Sequence, residues 1–168
     1  ESYLRQFLAL GDASPPAAER VELMPLIAET LALLRPSCLH AGIELRIIAP
    51  PRPPSMQGDR ESLRQLITNL AVNAIEAAAA GRATPRWVSV ELALPPGNRG
   101  ALLVSDSGDG PAAELGDELF EAFATTKPEG FGIGLFVARQ IAARHGCRLE
   151  WRREGDATCF TFDFPVME

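Results

Sequence analysis

The stretch NLAVNAIEAAAAG, residues 69–81, reads as an amphipathic helix with two residues out of character. Asparagine is a poor helix former because its amide competes for backbone hydrogen bonds, yet Asn69 and Asn73 stand one turn apart. Asp59 is a good N-cap and Gly81 a good stop, so the segment predicts one helix between them. On a wheel of about 100° per residue, Leu63, Leu66, Ile67, Leu70 and Ala74 form one stripe, with Ala71 and Ala78 on its flank. Asn69, Asn73 and Glu76 cluster on the adjacent edge. The two amides therefore stand at the border of a core, where a side-chain carbonyl can face a cavity. A neutral amide oxygen suits Mg²⁺, which takes oxygen donors and keeps several waters. Amides that cap or bridge neighbouring backbone account for the pair taken alone more simply.

The totals limit what surrounds this helix. The chain has 168 residues, 46% of them hydrophobic and 23% charged, which suits one globular domain, or one with a short appendage. A net charge of −6 with no basic run argues against nucleic acid as the main partner. No apolar stretch reaches the roughly 20 residues of a membrane span, and no signal peptide is visible. Cys38, Cys147 and Cys159 are odd in number and lack metal spacing, so they read as reduced, partly buried thiols of a cytosolic protein. The chain opens on Glu1, and SYLRQFLAL reads as a helix already under way, which predicts a piece of a longer protein.

Outward from the helix, Tyr3, Leu4, Phe7 and Leu8 recur at helical spacing, and GDASPP at 11–16 then forms a linker. VEL (21–23) predicts a short strand. Pro25 opens a helix over LIAETLALLRPSCLHAG, ended by Gly42, with Pro36 inviting a kink or a break. IELRIIA (43–49) is strand-like, and PPRPPS is a rigid polar connector. WVSVELAL (87–94) and ALLVSD (101–106) predict a hairpin, ELGDELFEAF a short helix, and GIGLFVARQIAARHG a longer one from about Ile133. CRLEWRRE and ATCFTFDFP predict a second hairpin around Gly155 and Asp156. Helices mixed with paired strands predict an α+β fold, a two-layer α/β sandwich, rather than a parallel βαβ sheet.

Two loops carry further chemistry. In LLVSDSGDG (102–110) an apolar strand ends in Asp106, whose carboxylate can accept from an exocyclic amine, and Gly108 and Gly110 let the backbone approach a flat ligand. A plain Asp-Gly turn reads the same way in isolation. In TTKPEGFGIGL (125–135), Gly130, Gly132 and Gly134 alternate just before a helix, where bare N–H groups bind phosphate and a flexible stretch can close as a lid. Lys127 supplies a cation nearby. A dinucleotide-binding loop would follow the first strand of a βαβ unit, and this one follows a helix and a polar loop.

An asparagine-bearing helix, then DxGxG on a strand, then GxGxG before a helix is a rare succession. In it the chain resembles the ATP-binding catalytic domain of bacterial sensor histidine kinases, within the gyrase, heat-shock chaperone, histidine kinase and MutL superfamily. NLAVN is similar to its N box, DSGDG to its G1 box, LFEAF to its F box and GFGIGL to its G2 box. FATTKPEGFGIGL most resembles the nitrogen-regulation and oxygen-sensing kinases. The resemblance covers residues 21–165.

It implies the Bergerat ATP-binding fold, a mixed sheet covered on one face by helices, over residues 15–168. Residues 1–14 would be the end of a dimerisation helix and its linker. ATP and Mg²⁺ are the implied cofactors. Asn73 would ligate the metal, Asn69 would lie beside the phosphates, and Asp106 would hold the adenine amino group over a floor shaped by Gly108 and Gly110. Gly130, Gly132, Gly134 and Leu135 would frame the triphosphate, with Lys127 as a counter-charge. Phe120 and Phe123 would anchor the lid, and Thr158 would assist adenine recognition through water. The implied reaction passes the γ-phosphoryl group to a histidine on the dimerisation domain of a homodimeric parent, and then to an aspartate of a response regulator; the segment is expected in the cytoplasm, with the parent free to be membrane-anchored. No nucleic-acid or membrane contact is implied for this segment.

Four departures bear on this. ATP-hydrolysing relatives place a water-activating glutamate where this chain has Asn69, which cannot act as a base near neutral pH. Many family members carry a lysine where this chain has Glu76, and Cys147 and Ala157 replace usual glycines. His40 and His145 are the two histidines, and neither lies on a dimerisation helix before an acidic residue, so the acceptor is expected upstream of residue 1. Two other readings compete: a serine kinase of the anti-sigma type, and a degenerate nucleotide- or protein-binding module.

Overall fold

The computed structural model describes residues 18–111, 113–122 and 132–167. A first strand, β1 (Glu19–Glu22), leads into helix α1 (Leu23–His40), followed by β2 (Ile43–Ile48) and β3 (Ser55–Gly58). Helix α2 (Arg60–Ala80) comes next, then the pair β4 (Arg86–Ala93) and β5 (Arg99–Asp106). A 3₁₀ segment (Ala113–Phe120), helix α3 (Gly134–Arg144) and the pair β6 (Arg148–Glu154) and β7 (Ala157–Pro165) complete the order.

Five strands form one mixed sheet in the order β2-β4-β5-β7-β6; β2 runs parallel to β4 and every other pairing is antiparallel. The alternation of the strands puts Val88, Val90 and Leu92, Leu102 and Val104, and Phe160, Phe162 and Phe164 on one face, all buried. The helices cover that face: α2 lies on β4 and β5, α1 on β2, and α3 on β6 and against α2. This is the expected α+β two-layer sandwich.

Helix α2 follows its sequence closely. The Asp59 side chain accepts the Ser62 N–H at 2.7 Å, capping the first turn. Leu63, Leu66, Ile67, Leu70, Ala71, Ala74 and Ala78 are buried, while Asn69 and Asn73 are half-buried and Glu76 is exposed. The two predicted hairpins form, the second with Gly155 at φ 56° in its turn.

Four details differ from expectation. Helix α1 runs unbroken through Pro36, because Leu26, Ile27, Leu31 and Cys38 are buried along it and outweigh one missing backbone bond. The first strand is Glu19–Glu22 rather than 21–23, and it pairs with β3, which the proline-rich connector hid. The short helix expected over ELGDELFEAF is 3₁₀ over Ala113–Phe120, broken at Gly116 (φ 47°). Helix α3 starts at Gly134, with Ile133 as its N-cap. The predicted helix and linker over 1–16 lie outside the described residues.

Among the described residues no helix is long and apolar enough to cross a membrane. The three cysteines are free and buried, and burial pushes the Cys38 and Cys147 thiols up, away from the reactive thiolate.

Candidate functional site

Asp106 ends β5 at the centre of the sheet, flanked by Val88 on β4 and Thr158 on β7. It is 0% exposed and Thr158 is 2% exposed, so both polar groups stand at the covered end of the cleft. Chain direction after Asp106 is set by its own side chain, whose Oδ1 accepts the Gly108 N–H at 2.8 Å.

The glycines next to it answer to close approach. The loop passes so near the last turn of α2 that a Cβ at Gly108 would lie 2.6 Å from the Ala77 carbonyl oxygen. A Cβ at Gly81 would lie 2.9 Å from the Gly108 Cα, so Gly81 serves contact rather than a left-handed stop; its φ is −71°. Gly110 has φ 75°, a conformation that favours glycine, and a Cβ there would strike Arg153 and come within 3.0 Å of Thr158 Oγ1. Asp106, Gly108, Gly110 and Thr158, chosen from separate stretches of sequence, are therefore neighbours.

Helix α2 contributes the opposite wall. Asn69 and Asn73 are half-buried on the edge beside its apolar stripe, one turn apart. Asn69 Nδ2 is buried with no hydrogen-bond partner among the described residues. An orphaned amide donor in a cleft wall suits an anionic oxygen. A Cβ at Gly134 would sit 3.9 Å from the Asn69 side chain, so the first residue of α3 lies against the asparagine edge of α2.

Among the described residues no side chain caps the N-terminus of α3. Its first-turn N–H groups, from Gly134 and Leu135 onward, stand at the positive end of the helix dipole. Gly132 precedes them at φ 62°, and the Leu135 side chain packs partly buried against the core. Lys127, Gly130 and Phe123 lie outside the described residues.

Phe120 packs into the core. It is buried, meets Phe160 edge-on at 6.2 Å, and has the Arg139 guanidinium 4.9 Å over its ring. Two further groups hold the same segment. The Trp151 indole N–H donates to the Gly116 carbonyl at 2.7 Å, and Arg139 reaches Asp117 at 3.4 Å.

Sequence reading missed Arg153 altogether. Its Nη1 donates to the Gly108 carbonyl at 2.9 Å and to Thr158 Oγ1 at 2.8 Å, and its Nη2 donates to the Asp156 carbonyl at 2.9 Å. One signal could have found it: Leu149, Trp151 and Arg153 alternate along β6, so an arginine falls on the strand's apolar face.

His145 also has a more specific place than a surface position. Its Nε2 accepts the Asp59 N–H at 3.0 Å while Nδ1 donates to the Ile141 carbonyl at 2.8 Å. The Nε2 bond joins the end of α3 to the start of α2, and the Nδ1 bond holds the ring against the last turn of α3. His40 is exposed in the last turn of α1.

Residues 58–168 match the family model described as histidine kinase-, DNA gyrase B-, and HSP90-like ATPase. The sensor histidine kinase TmoS of Ectopseudomonas mendocina is 33% identical over 90% of this chain and 16% of its own length. The sensor histidine kinase ZraS of Escherichia coli (strain K12) is 35% identical over 96% of this chain and 34% of its own. The chain thus spans about a third or less of these relatives. Full-length ShkA, solved in complex with AMPPNP, superposes with a TM-score of 0.84 at 28% identity, over 98% of this chain and 35% of that one.

Proposed function

The chain belongs to the histidine kinase-, DNA gyrase B- and HSP90-like ATPase family, and from that membership we propose that it is the ATP-binding kinase domain of a sensor histidine kinase. It binds Mg·ATP in the cleft between α2, the loop after β5 and the N-terminus of α3. It delivers the γ-phosphoryl group to a histidine of the parent's dimerisation domain, which hands it to an aspartate of a response regulator. Residues 15–168 form this domain, and residues 1–14 are the end of a dimerisation helix with its linker. The observation that carries the reading is the buried Asp106–Thr158 pair at the centre of the sheet, and the contact between Asn69 on α2 and Gly134 at the start of α3 supports it.

Each group has a task. Asp106 accepts from the adenine 6-amino group, and Thr158 completes the base contact. Gly108 and Gly110 bring backbone to the ring without a side chain in the way. Asn69 Nδ2 donates to a phosphate oxygen, as do the first N–H groups of α3 around Gly132, Gly134 and Leu135. Lys127 and Gly130 complete the phosphate surround. The Asn73 amide oxygen fits a Mg²⁺ ion, whose remaining ligands are phosphate and water. When bound, the metal supplies charge stabilisation for the transferring phosphoryl group. Glu76 is exposed, which weakens the case for a degenerate module.

Positioning and electrostatics then account for the transfer. Asn69 stands where hydrolysing relatives carry a base, and a neutral imidazole is nucleophilic without one. That favours histidine over water or serine as the acceptor. His145 is occupied on both nitrogens, which supports an acceptor elsewhere in the parent. Incubation with γ-labelled Mg·ATP and the parent's dimerisation fragment should give acid-labile, alkali-stable phosphohistidine. Acid-stable phosphoserine, or phosphate release without transfer, would contradict the proposal.

A further inference from the structure

Arg153 carries a positive charge onto the helix-covered face of the sheet, where it pairs across strands with Thr158. Its fork joins three separate pieces: the Gly108 carbonyl, the Thr158 hydroxyl and the Asp156 carbonyl in the β6–β7 turn. The space it fills is the space a side chain at Gly110 would need.

We propose that Arg153 is a positioning residue for base recognition, holding the Thr158 hydroxyl as a donor beside Asp106 so that the cleft takes adenine and rejects 6-oxopurines. The inference rests on the nucleotide-binding reading above. A threonine hydroxyl has one proton to give and two acceptor positions. Arg153 occupies one of those positions through a charge-assisted bond, which draws electron density from Oγ1 and makes it a better donor and a poorer acceptor. A carboxylate at Asp106 only accepts.

The pair therefore asks for a ring edge that gives one hydrogen bond and receives the next, directly or through one water. Adenine does so with its 6-amino group and N1. A 6-oxopurine presents the reverse, an oxygen toward the carboxylate and an N1–H toward the hydroxyl. Buried polar groups left unpaired by the wrong base make such a site selective. Without Arg153 the hydroxyl turns freely and accepts as readily as it donates, and the Gly108 carbonyl loses its tether.

Calorimetric titration with ATP and with inosine triphosphate tests this on the wild type, Arg153→Met, Thr158→Val and the double variant. Methionine keeps an aliphatic stem for packing. Arg153→Met should lower the ATP-to-ITP affinity ratio about tenfold, the scale of one buried hydrogen bond, chiefly by weakening ATP. Thr158→Val should do the same, the double variant should add nothing further, and Arg153→Lys should restore part of the ratio. Equal weakening of both nucleotides in Arg153→Met, or ratio losses that multiply in the double variant, would overturn the proposal. If Arg153→Met fails to fold, an unchanged ratio in Thr158→Val overturns it instead. A wild type that binds neither nucleotide would sink the nucleotide-binding reading itself.

Discussion

Thr158 stands directly opposite Asp106 on the neighbouring antiparallel strand, with both side chains shut away from solvent. A hydroxyl and a carboxylate at one level of a sheet otherwise lined by Val88, Val104 and Phe160 have no part in core packing. Burying them costs stability unless hydrogen bonds offset the desolvation. The Asp106→Asn variant keeps the shape and replaces one acceptor oxygen with a donor amide. We expect it to fold and to lose ATP affinity by about 10- to 100-fold, the range for a hydrogen bond to a charged group. A fluorescent-nucleotide displacement assay beside a thermal melt separates binding from folding.

Gly108 offers a test that involves no polar group. A methyl there meets the Ala77 carbonyl oxygen at 2.6 Å, which is backbone on a buried helix and has little room to yield. Gly108→Ala should push the loop off α2 and, by displacing a tight backbone contact, cost about 1–3 kcal/mol of stability. ATP affinity should fall with it. Urea denaturation reads the first effect, and an undisturbed midpoint would contradict the close approach.

The fold was legible where one periodicity ran long enough to be counted. Seven positions of α2, from Leu63 to Ala78, are buried as the wheel requires, and the two hairpins follow from their turn residues. Strand β3 was not legible, because Ser55–Gly58 follows a proline run and becomes a strand through its distant partner β1. Pro36 signalled a break in α1 that burial on either side of it overrides. In the candidate site, residue types pointed to Asp106, the glycines and the asparagine edge. Arg153 and the His145–Asp59 link depend on elements far apart in the chain, 45 residues for Arg153 to Gly108 and 86 for the histidine bond. The alternation along β6 can mark Arg153 itself, but no local pattern encodes its bond to Gly108 or the histidine bond.

Asp59 makes a prediction about acid. Burial pushes its carboxyl up, but the bonds from Ser62 together with neighbouring positive charge outweigh that and hold it below its ordinary value. A group depressed in the folded state stabilises above its unfolded pKa and loses that contribution as pH falls through the folded one. Removing the cap in Asp59→Ala should cost about 1 kcal/mol near neutral pH. The difference between wild type and variant should hold steady down to about pH 5 and shrink below about pH 4, the ordinary carboxylate range. Chemical denaturation at a series of pH values checks the sign.

His145 ties the same helix start to α3. Replacing it with alanine strands the Asp59 N–H and opens a gap beside Gly58, whose Cβ position lies 2.8 Å from the ring. We expect a loss of about 1–3 kcal/mol, the cost of an unsatisfied buried donor. Phosphotransfer per folded molecule should be unchanged, since a bridging imidazole is no phosphoacceptor. Loss of all phosphate incorporation in a folded His145→Ala sample would show otherwise.

The most direct measurement concerns the asparagine edge and the metal. ATP is titrated into the wild type and into Asn73→Ala, each with and without Mg²⁺, and the four affinities are compared. The wild type should bind ATP more tightly with Mg²⁺. The alanine variant should lose that gain while keeping the metal-free affinity, because Asp106 and the glycines still hold the base. If Asn73→Ala leaves the Mg²⁺ gain intact in folded protein, the amide ligates no metal and the arrangement of the cleft described here is wrong.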